Sequence, residues 1–165
     1  MQIVVVAHNI RSIHNVGSIF RTCDGFGVAK LYLTGYSPYP TQERDARLPH
    51  ESRKITEQIH KTALGAETLV PHEYRADVLQ VLDSLKNAGF TIVALEQAPN
   101  SIALPDFLPL NDSIALVLGE EVHGITPDLL AMCDRIVEIP MHGKKESFNV
   151  SVATGIALYA LRALH

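Results

Sequence analysis

Ile139-Pro140-Met141, a short Gly143-Lys144-Lys145-Glu146 turn and Ser147-Phe148-Asn149-Val150-Ser151-Val152-Ala153 follow one another near the end of the chain. An apolar run stops at a proline, which cannot donate to a central β-ladder. A flexible, lysine-bearing turn follows. An apolar, small-residue segment then opens just after the side-chain polar groups of Ser147 and Asn149. A strand that ends at such a turn and re-enters as a helix exposes backbone donors, a helix N-terminus and an apolar floor in one place. This junction reads as a ligand site whose remaining walls come from elsewhere in the chain.

Working outward, short apolar runs alternate with helix-length amphipathic segments. Ile3–Ala7, Lys30–Thr34, Glu67–Val70, Thr91–Leu95, Ile114–Leu118 and Arg135–Ile139 read as strands. They are rich in Val, Ile and Leu without clean alternation, the pattern of strands covered on both faces. Asn15–Gly25, Ser52–Leu64, Ala76–Asn87, Pro127–Cys133 and Asn149–Leu164 read as helices. Thr126-Pro127 is a helix start, with Thr as cap and Pro where its missing N–H is harmless. Gly89 fits a helix stop. The alternation predicts an α/β fold with a mostly parallel sheet and helices on both faces. Ligands of such folds sit beyond the carboxyl ends of the strands. The loops after Ala7, Leu118 and Ile139 should therefore carry function. Gly35–Glu51, with three prolines and several charges, reads as a long mobile loop.

The 165 residues suit one domain with a real core, and the 47% hydrophobic share excludes a disordered chain. A net charge of -4 and a pI near 6.0 argue against sequence-blind coating of nucleic acid, though not against a local basic face. Cys23 and Cys133 lack metal or disulfide spacing and read as buried thiols in a reduced compartment. No charged n-region precedes Ile3–Ala7, and Val150–Leu164 is interrupted by Ser151, Thr154, Tyr159 and Arg162. Neither segment reads as a signal peptide or a membrane span. The expectation is a cytoplasmic protein of one domain over residues 1–165.

After the first strand, Asn15-Val16-Gly17 leads to Arg21, with Gly17 and Arg21 on one helical face. Gly17 lets something approach closely, and Arg21 forks to a phosphate or carboxylate. A capped helix bearing one solvated arginine would look the same. In Leu118-Gly119-Glu120-Glu121-Val122-His123, Gly119 permits a backbone to pass close to a ligand, with Glu120 at the sheet edge. The alternative is a turn carrying solvated glutamates and a surface histidine. Lys144 and Lys145 either touch phosphates or keep a turn soluble. Ser147 and Asn149 are helix-cap candidates. No Gly-x-Ser-x-Gly elbow, Walker loop, dinucleotide fingerprint or paired-histidine metal motif occurs, and the expected metal content is none.

These segments together resemble the SpoU/TrmH family of SPOUT RNA methyltransferases. The resemblance rests on Asn15-Val16-Gly17 with Arg21, on Leu118-Gly119-Glu120, and on Ile139-Pro140-Met141 through Ser147-Phe148-Asn149-Val150-Ser151. It covers nearly the whole chain, and by comparison with larger family members the expectation is no separate RNA-binding extension. It implies a C-terminal deep trefoil knot, which periodicity alone does not reveal. It implies S-adenosylmethionine held around Leu95, Gly119, Ile139, Met141, Ser147 and Phe148. It implies methyl transfer to a ribose 2′-hydroxyl of tRNA or rRNA by Arg21, Asn15, Glu120, Ser147 and Asn149. Glu120 would orient Arg21 or Asn15, and Arg21 would stay charged and bind the adjacent phosphate. A homodimer with sites completed across the interface is part of the same resemblance. Arg11, Arg44, Arg47, Arg53, Lys54, Lys144 and Lys145 are the RNA-contact candidates. The rival readings are a catalytically silent knot-fold RNA-binding protein, a base-methylating SPOUT enzyme and an unrelated α/β small-molecule enzyme.

Overall fold

The computed structural model describes residues 1–163. A seven-stranded sheet is built from β1 (Gln2–His8), β2 (Lys30–Thr34), β3 (His72–Arg75), β4 (Thr91–Leu95), β5 (Ile102–Ala103), β6 (Ser113–Leu118) and β7 (Arg135–Glu138). Their order is β3-β2-β1-β6-β4-β7-β5, and every pairing is parallel. The helices are α1 (Ile13–Gly25), α2 (Pro49–Ala63), α3 (Ala66–Leu69), α4 (Val78–Asn87), α5 (Pro127–Ala131) and α6 (Val150–Ala163).

Both sheet faces are covered, which explains why the strands lack alternation. Ile3, Val5 and Ala7 of β1 pack with Val16, Ile19 and Phe20 of α1 and Leu158 and Leu161 of α6. Val4 and Val6, pointing the other way, join Val81, Leu82 and Leu85 of α4 and Leu129 of α5. Successive side chains of a strand face opposite sides, so a strand between two helical layers must be apolar throughout.

One predicted strand is a helix. Glu67–Val70 falls on α3, and the edge strand is the polar His72–Arg75. Gly65, at φ 100°, turns the chain so that its N–H meets Glu67 Oε2 at 3.0 Å. The other Glu67 oxygen meets His60 Nδ1 at 2.6 Å, which satisfies a buried carboxylate. Burial resists ionisation of Glu67, yet these bonds hold its carboxyl below the usual range. Several boundaries also move. α1 begins at Ile13, because Ser12 Oγ accepts the Asn15 N–H at 3.2 Å. α2 begins at Pro49, and α4 begins after Asp77, whose carboxylate caps Leu79. Thr126 stands at the α5 start without a side-chain cap bond, and α5 stops at Ala131. α6 is described to Ala163, so the predicted end at Leu164 lies outside the described residues.

The Gly35–Glu51 stretch is not open chain. Arg47 forks onto Asp45 (2.8 and 2.5 Å) and donates to the Tyr39 and Pro40 carbonyls at 2.9 and 3.2 Å. Its guanidinium lies 3.6 Å over the Tyr39 ring, which stacks 3.9 Å from Tyr74. The fork holds the Asp45 carboxyl well below its ordinary range. Among the described residues no helix is long and apolar enough to cross a membrane.

Candidate functional site

β4, β6 and β7 are neighbours, so their carboxyl ends open side by side. A crevice of about 370 Å³ lies there, a volume in the range of small-molecule sites. Leu95, Gly119, Ile139, Met141, Ser147 and Phe148 all line it, as do Glu120 and Asn149. Leu118, Val150 and Ala153 complete an apolar floor, and Glu96, Gln97 and Glu138 stand among its polar walls.

The walls are held by side chains that sequence reasoning missed. Glu96, at the exit of β4, accepts the Ile125 N–H at 2.8 Å and the Gln97 N–H at 2.9 Å. Gln97 Nε2 donates to the Glu146 carbonyl at 2.8 Å and ties the 143–149 turn to β4. Ser101 Oγ donates to Glu138 Oε2 at 2.8 Å. Glu96 and Gln97 follow the apolar strand β4 directly and Glu138 is the last residue of β7, which was the only available signal.

Gly119 is small for a reason other than the one expected. A Cβ there would collide with Ile125 and the backbone of Gly124, because the loop bridges back from Glu120 to Gly124. Gly124, at φ 67°, is likewise closed to a side chain by Glu96. Gly17 follows the same logic. What approaches it is α2, where a Cβ would strike Thr62 Oγ1 and the Ile59 carbonyl.

At the mouth of the crevice three distant segments join. Asn149 caps α6, its Oδ1 accepting the Ser151 N–H at 2.9 Å and the Ser151 hydroxyl at 2.7 Å. That bond aims the Asn149 Nδ2 at Asn15 Oδ1, 3.2 Å away. Asn15 Nδ2 donates in turn to Glu121 Oε1 at 3.0 Å. Glu121 also accepts the N–H groups of Arg11 and Ser12 at 3.0 and 3.2 Å. Burial opposes its ionisation, but the Arg11 N–H and the Asn15 amide outweigh that and hold the carboxyl below its ordinary value. Glu121 therefore does what was expected of Glu120. The Glu120 carboxylate instead meets His123 Nδ1 at 2.9 Å. Ser147 lines the crevice without a hydrogen bond to the described residues, so it does not cap α6.

Arg21 lies elsewhere. It borders a second hollow with Ser18, Thr22, Lys61, Thr62 and Leu64, and no residue is shared between the two cavities. Arg47 is committed to Asp45 and Tyr39, so the loop it holds removes it from the RNA-contact candidates. Arg11, Arg44, Arg53, Lys54, Lys144 and Lys145 remain exposed. Among the described residues no cluster of His, Cys, Asp or Glu is arranged to hold a metal ion.

Fold and crevice together define an α/β protein with a small-molecule-sized crevice where three parallel strands of one sheet end side by side, with an amide-and-carboxylate network at the rim. The chain belongs to the SpoU rRNA methylase family, whose profile matches residues 2–159. It is 34% identical over 157 residues to the tRNA (guanosine(18)-2′-O)-methyltransferase of Aquifex aeolicus, covering 95% of this chain and 67% of that enzyme. It is 32% identical to the 23S rRNA (guanosine-2′-O-)-methyltransferase RlmB of Nitrosomonas europaea, covering 95% and 54%. The chain thus spans about half to two thirds of these relatives. The solved A. aeolicus TrmH/SpoU tRNA modifying enzyme superposes with a TM-score of 0.79 at 31% identity, covering 98% of this chain and 74% of that one. A structure described in terms of 2-OH methylation of C/U34 on tRNA matches in fold alone, at 22% identity and a TM-score of 0.76 over 99% and 96%.

Proposed function

We propose that this chain transfers the methyl group of S-adenosylmethionine to a ribose 2′-hydroxyl of tRNA or rRNA. The observation that carries the reading is the bonded line Glu121–Asn15–Asn149, which joins the first and third family motifs at the mouth of the crevice. The lining fits the donor: an apolar floor from Leu95, Leu118, Ile139 and Val150 for the nucleoside, and carboxylates at Glu96, Glu120 and Glu138 for a cation. When bound, S-adenosylmethionine supplies an electrophilic methyl carried on a sulfonium.

The chain's own residues position the acceptor. Ser147, with no hydrogen-bond partner among the described residues, is free to bond to a substrate hydroxyl or phosphate. Asn149 and Asn15, locked by Glu121, present amides in one orientation, so little reorganisation accompanies the reaction. Arg21 acts as a fixed cation, because its planar guanidinium offers only donors and forks bidentately to phosphate. It binds the phosphate beside the target ribose and stabilises the developing alkoxide, while the proton leaves to phosphate or water.

Because Arg21 does not line the crevice of its own chain, this reading requires a homodimer in which one copy's Arg21 serves the other's crevice. Val152 and Tyr159 on α6 and the adjacent Phe148 are 49%, 68% and 42% exposed, which supports a second copy packing there. The trefoil knot and a cytoplasmic location belong to the same proposal. The test is incubation with methyl-labelled donor and bulk tRNA or rRNA, nuclease digestion and mass spectrometry. Label on a 2′-O-methylnucleoside supports the reading. Label on a base, or none with either RNA, refutes it.

A further inference from the structure

The second hollow, about 440 Å³, lies between α1 and α2. Tight packing builds it. Gly17 lets α2 close on α1, and Thr62 Oγ1 donates to the His14 carbonyl at 2.8 Å. Ser18, Arg21 and Thr22 then share one face of α1 opposite the last turn of α2.

Its polar groups are unspent. Several cations elsewhere in the fold are partnered, Lys30 and Arg75 with Glu73, Arg47 with Asp45, Lys86 with Asp134, and Arg162 with three carbonyls, while Arg11, Arg44, Arg53, Lys54, Lys144 and Lys145 stand exposed without an ion pair among the described residues. Arg21 and Lys61 form no ion pair or hydrogen bond among the described residues, and the hydroxyls of Ser18 and Thr22 have no partner either. The negative end of α2 accounts for a cation at Lys61. It does not account for an arginine on a different helix facing the same space. Two cations from different helices and two hydroxyls bordering one hollow suit an anion with several acceptor oxygens.

We propose that this hollow seats one backbone phosphate of the RNA substrate, forked by Arg21 and held from the other helix by Lys61, with Ser18 donating its hydroxyl. The identity of the anion as RNA rests on the methyl-transfer reading above. Lys61 is then an RNA-positioning residue that no family motif contains.

The test measures binding of unfractionated tRNA to the protein between 50 and 200 mM KCl, for wild type, Lys61→Ala, Lys61→Arg and Lys86→Ala. One lost phosphate contact should lower the slope of log affinity against log salt by about 0.7–0.9. Lys61→Ala should show that fall, a roughly tenfold rise in KM for RNA with little change in kcat, and unchanged affinity for S-adenosylmethionine. Lys61→Arg should restore the slope. Lys86, exposed on α4 across the sheet from the hollow, should leave it unchanged. An unaltered slope in Lys61→Ala overturns the proposal. So does an equal fall in Lys86→Ala, which would mean that any surface cation contributes alike. If wild type methylates RNA while Lys61→Ala keeps its slope, the hollow is wrong and the activity stands. If wild type binds tRNA through Lys61 but methylates neither tRNA nor rRNA, the hollow stands and the activity is wrong.

Discussion

Glu121→Gln removes a charge from the point where the β6 loop, α1 and, through Asn15, the start of α6 are tied together. The carboxylate accepts from three donors: the Arg11 and Ser12 N–H groups and the Asn15 amide. A glutamine offers one acceptor oxygen, and its amide must face at least one of those donors. Hydrogen bonds to a charged group are worth about 1.5–3 kcal/mol each, but water reaches this half-buried site and replaces part of the loss. A net cost of about 1–2 kcal/mol follows, or roughly 2–8 °C in Tm for a domain of this size. Methyl transfer should fall further, by about 10- to 100-fold, because Asn15 and Asn149 lose their common orientation. Differential scanning fluorimetry and initial rates read the two effects. The carboxyl is held below its ordinary pKa, so the ionised form is the one folding favours. The stabilisation is therefore fully present above the usual carboxylate range and fades as pH falls below about 4.3 toward the lowered folded value. The gap in Tm between wild type and Glu121→Gln should be flat from pH 6 to 8 and narrow in acid. If Glu120→Gln matched these losses while Glu121→Gln was silent, the assignment of the hub would be refuted.

Arg162 donates to the carbonyls of Phe26, Met1 and Gly27 at 2.8 Å each, pinning α6 to the N-terminus and the end of α1. Arg162→Ala should cost about 2–4 kcal/mol in urea unfolding, with m unchanged. Gly17→Ala drives a methyl against the Ile59 carbonyl and should destabilise by about 1–3 kcal/mol despite its better helix propensity. Arg47→Lys loses both the fork onto Asp45 and the stack on Tyr39, so amide exchange across residues 36–48 should accelerate with little change in global Tm. Burial pushes the Cys133 thiol up to about 11 and that of the fully buried Cys23 still higher. Neither should react with iodoacetamide at pH 7 in the native state, and rapid alkylation would contradict their packing.

Most of the core was legible in the chain because burial on both faces leaves a local signature. Five of the six expected strands coincide with observed strands to within two residues at each end, since Val4 and Val6 face one helical layer while Ile3 and Val5 face the other. The exception is instructive. Glu67-Thr68-Leu69-Val70 carries strand-like residues, but Gly65 and the Glu67 carboxylate make it helical, and the true edge strand His72–Arg75 has little to bury. Edge strands need only half the apolar surface of central ones, so their pattern is weak. The two-residue strand Ile102–Ala103 was invisible for the same reason.

The polypeptide alone marked where the crevice opens, because apolar runs that end at Gly119 and Pro140 mark strand exits and parallel strands open their ligand sites there. The family resemblance supplied the lining residues Leu95, Gly119, Ile139, Met141, Ser147 and Phe148, while Glu96, Gln97 and Glu138 were not foreseen. Only the folded chain decided which side chains act together. The choice of Glu121 over Glu120 as the anchor of Asn15, the meeting of Asn15 with Asn149 across 134 positions, and the pairing of Arg21 with Lys61 all depend on distance in space. Adjacent glutamates are chemically identical in a sequence. Their different roles arise when one turns toward three unsatisfied N–H donors and the other toward a histidine.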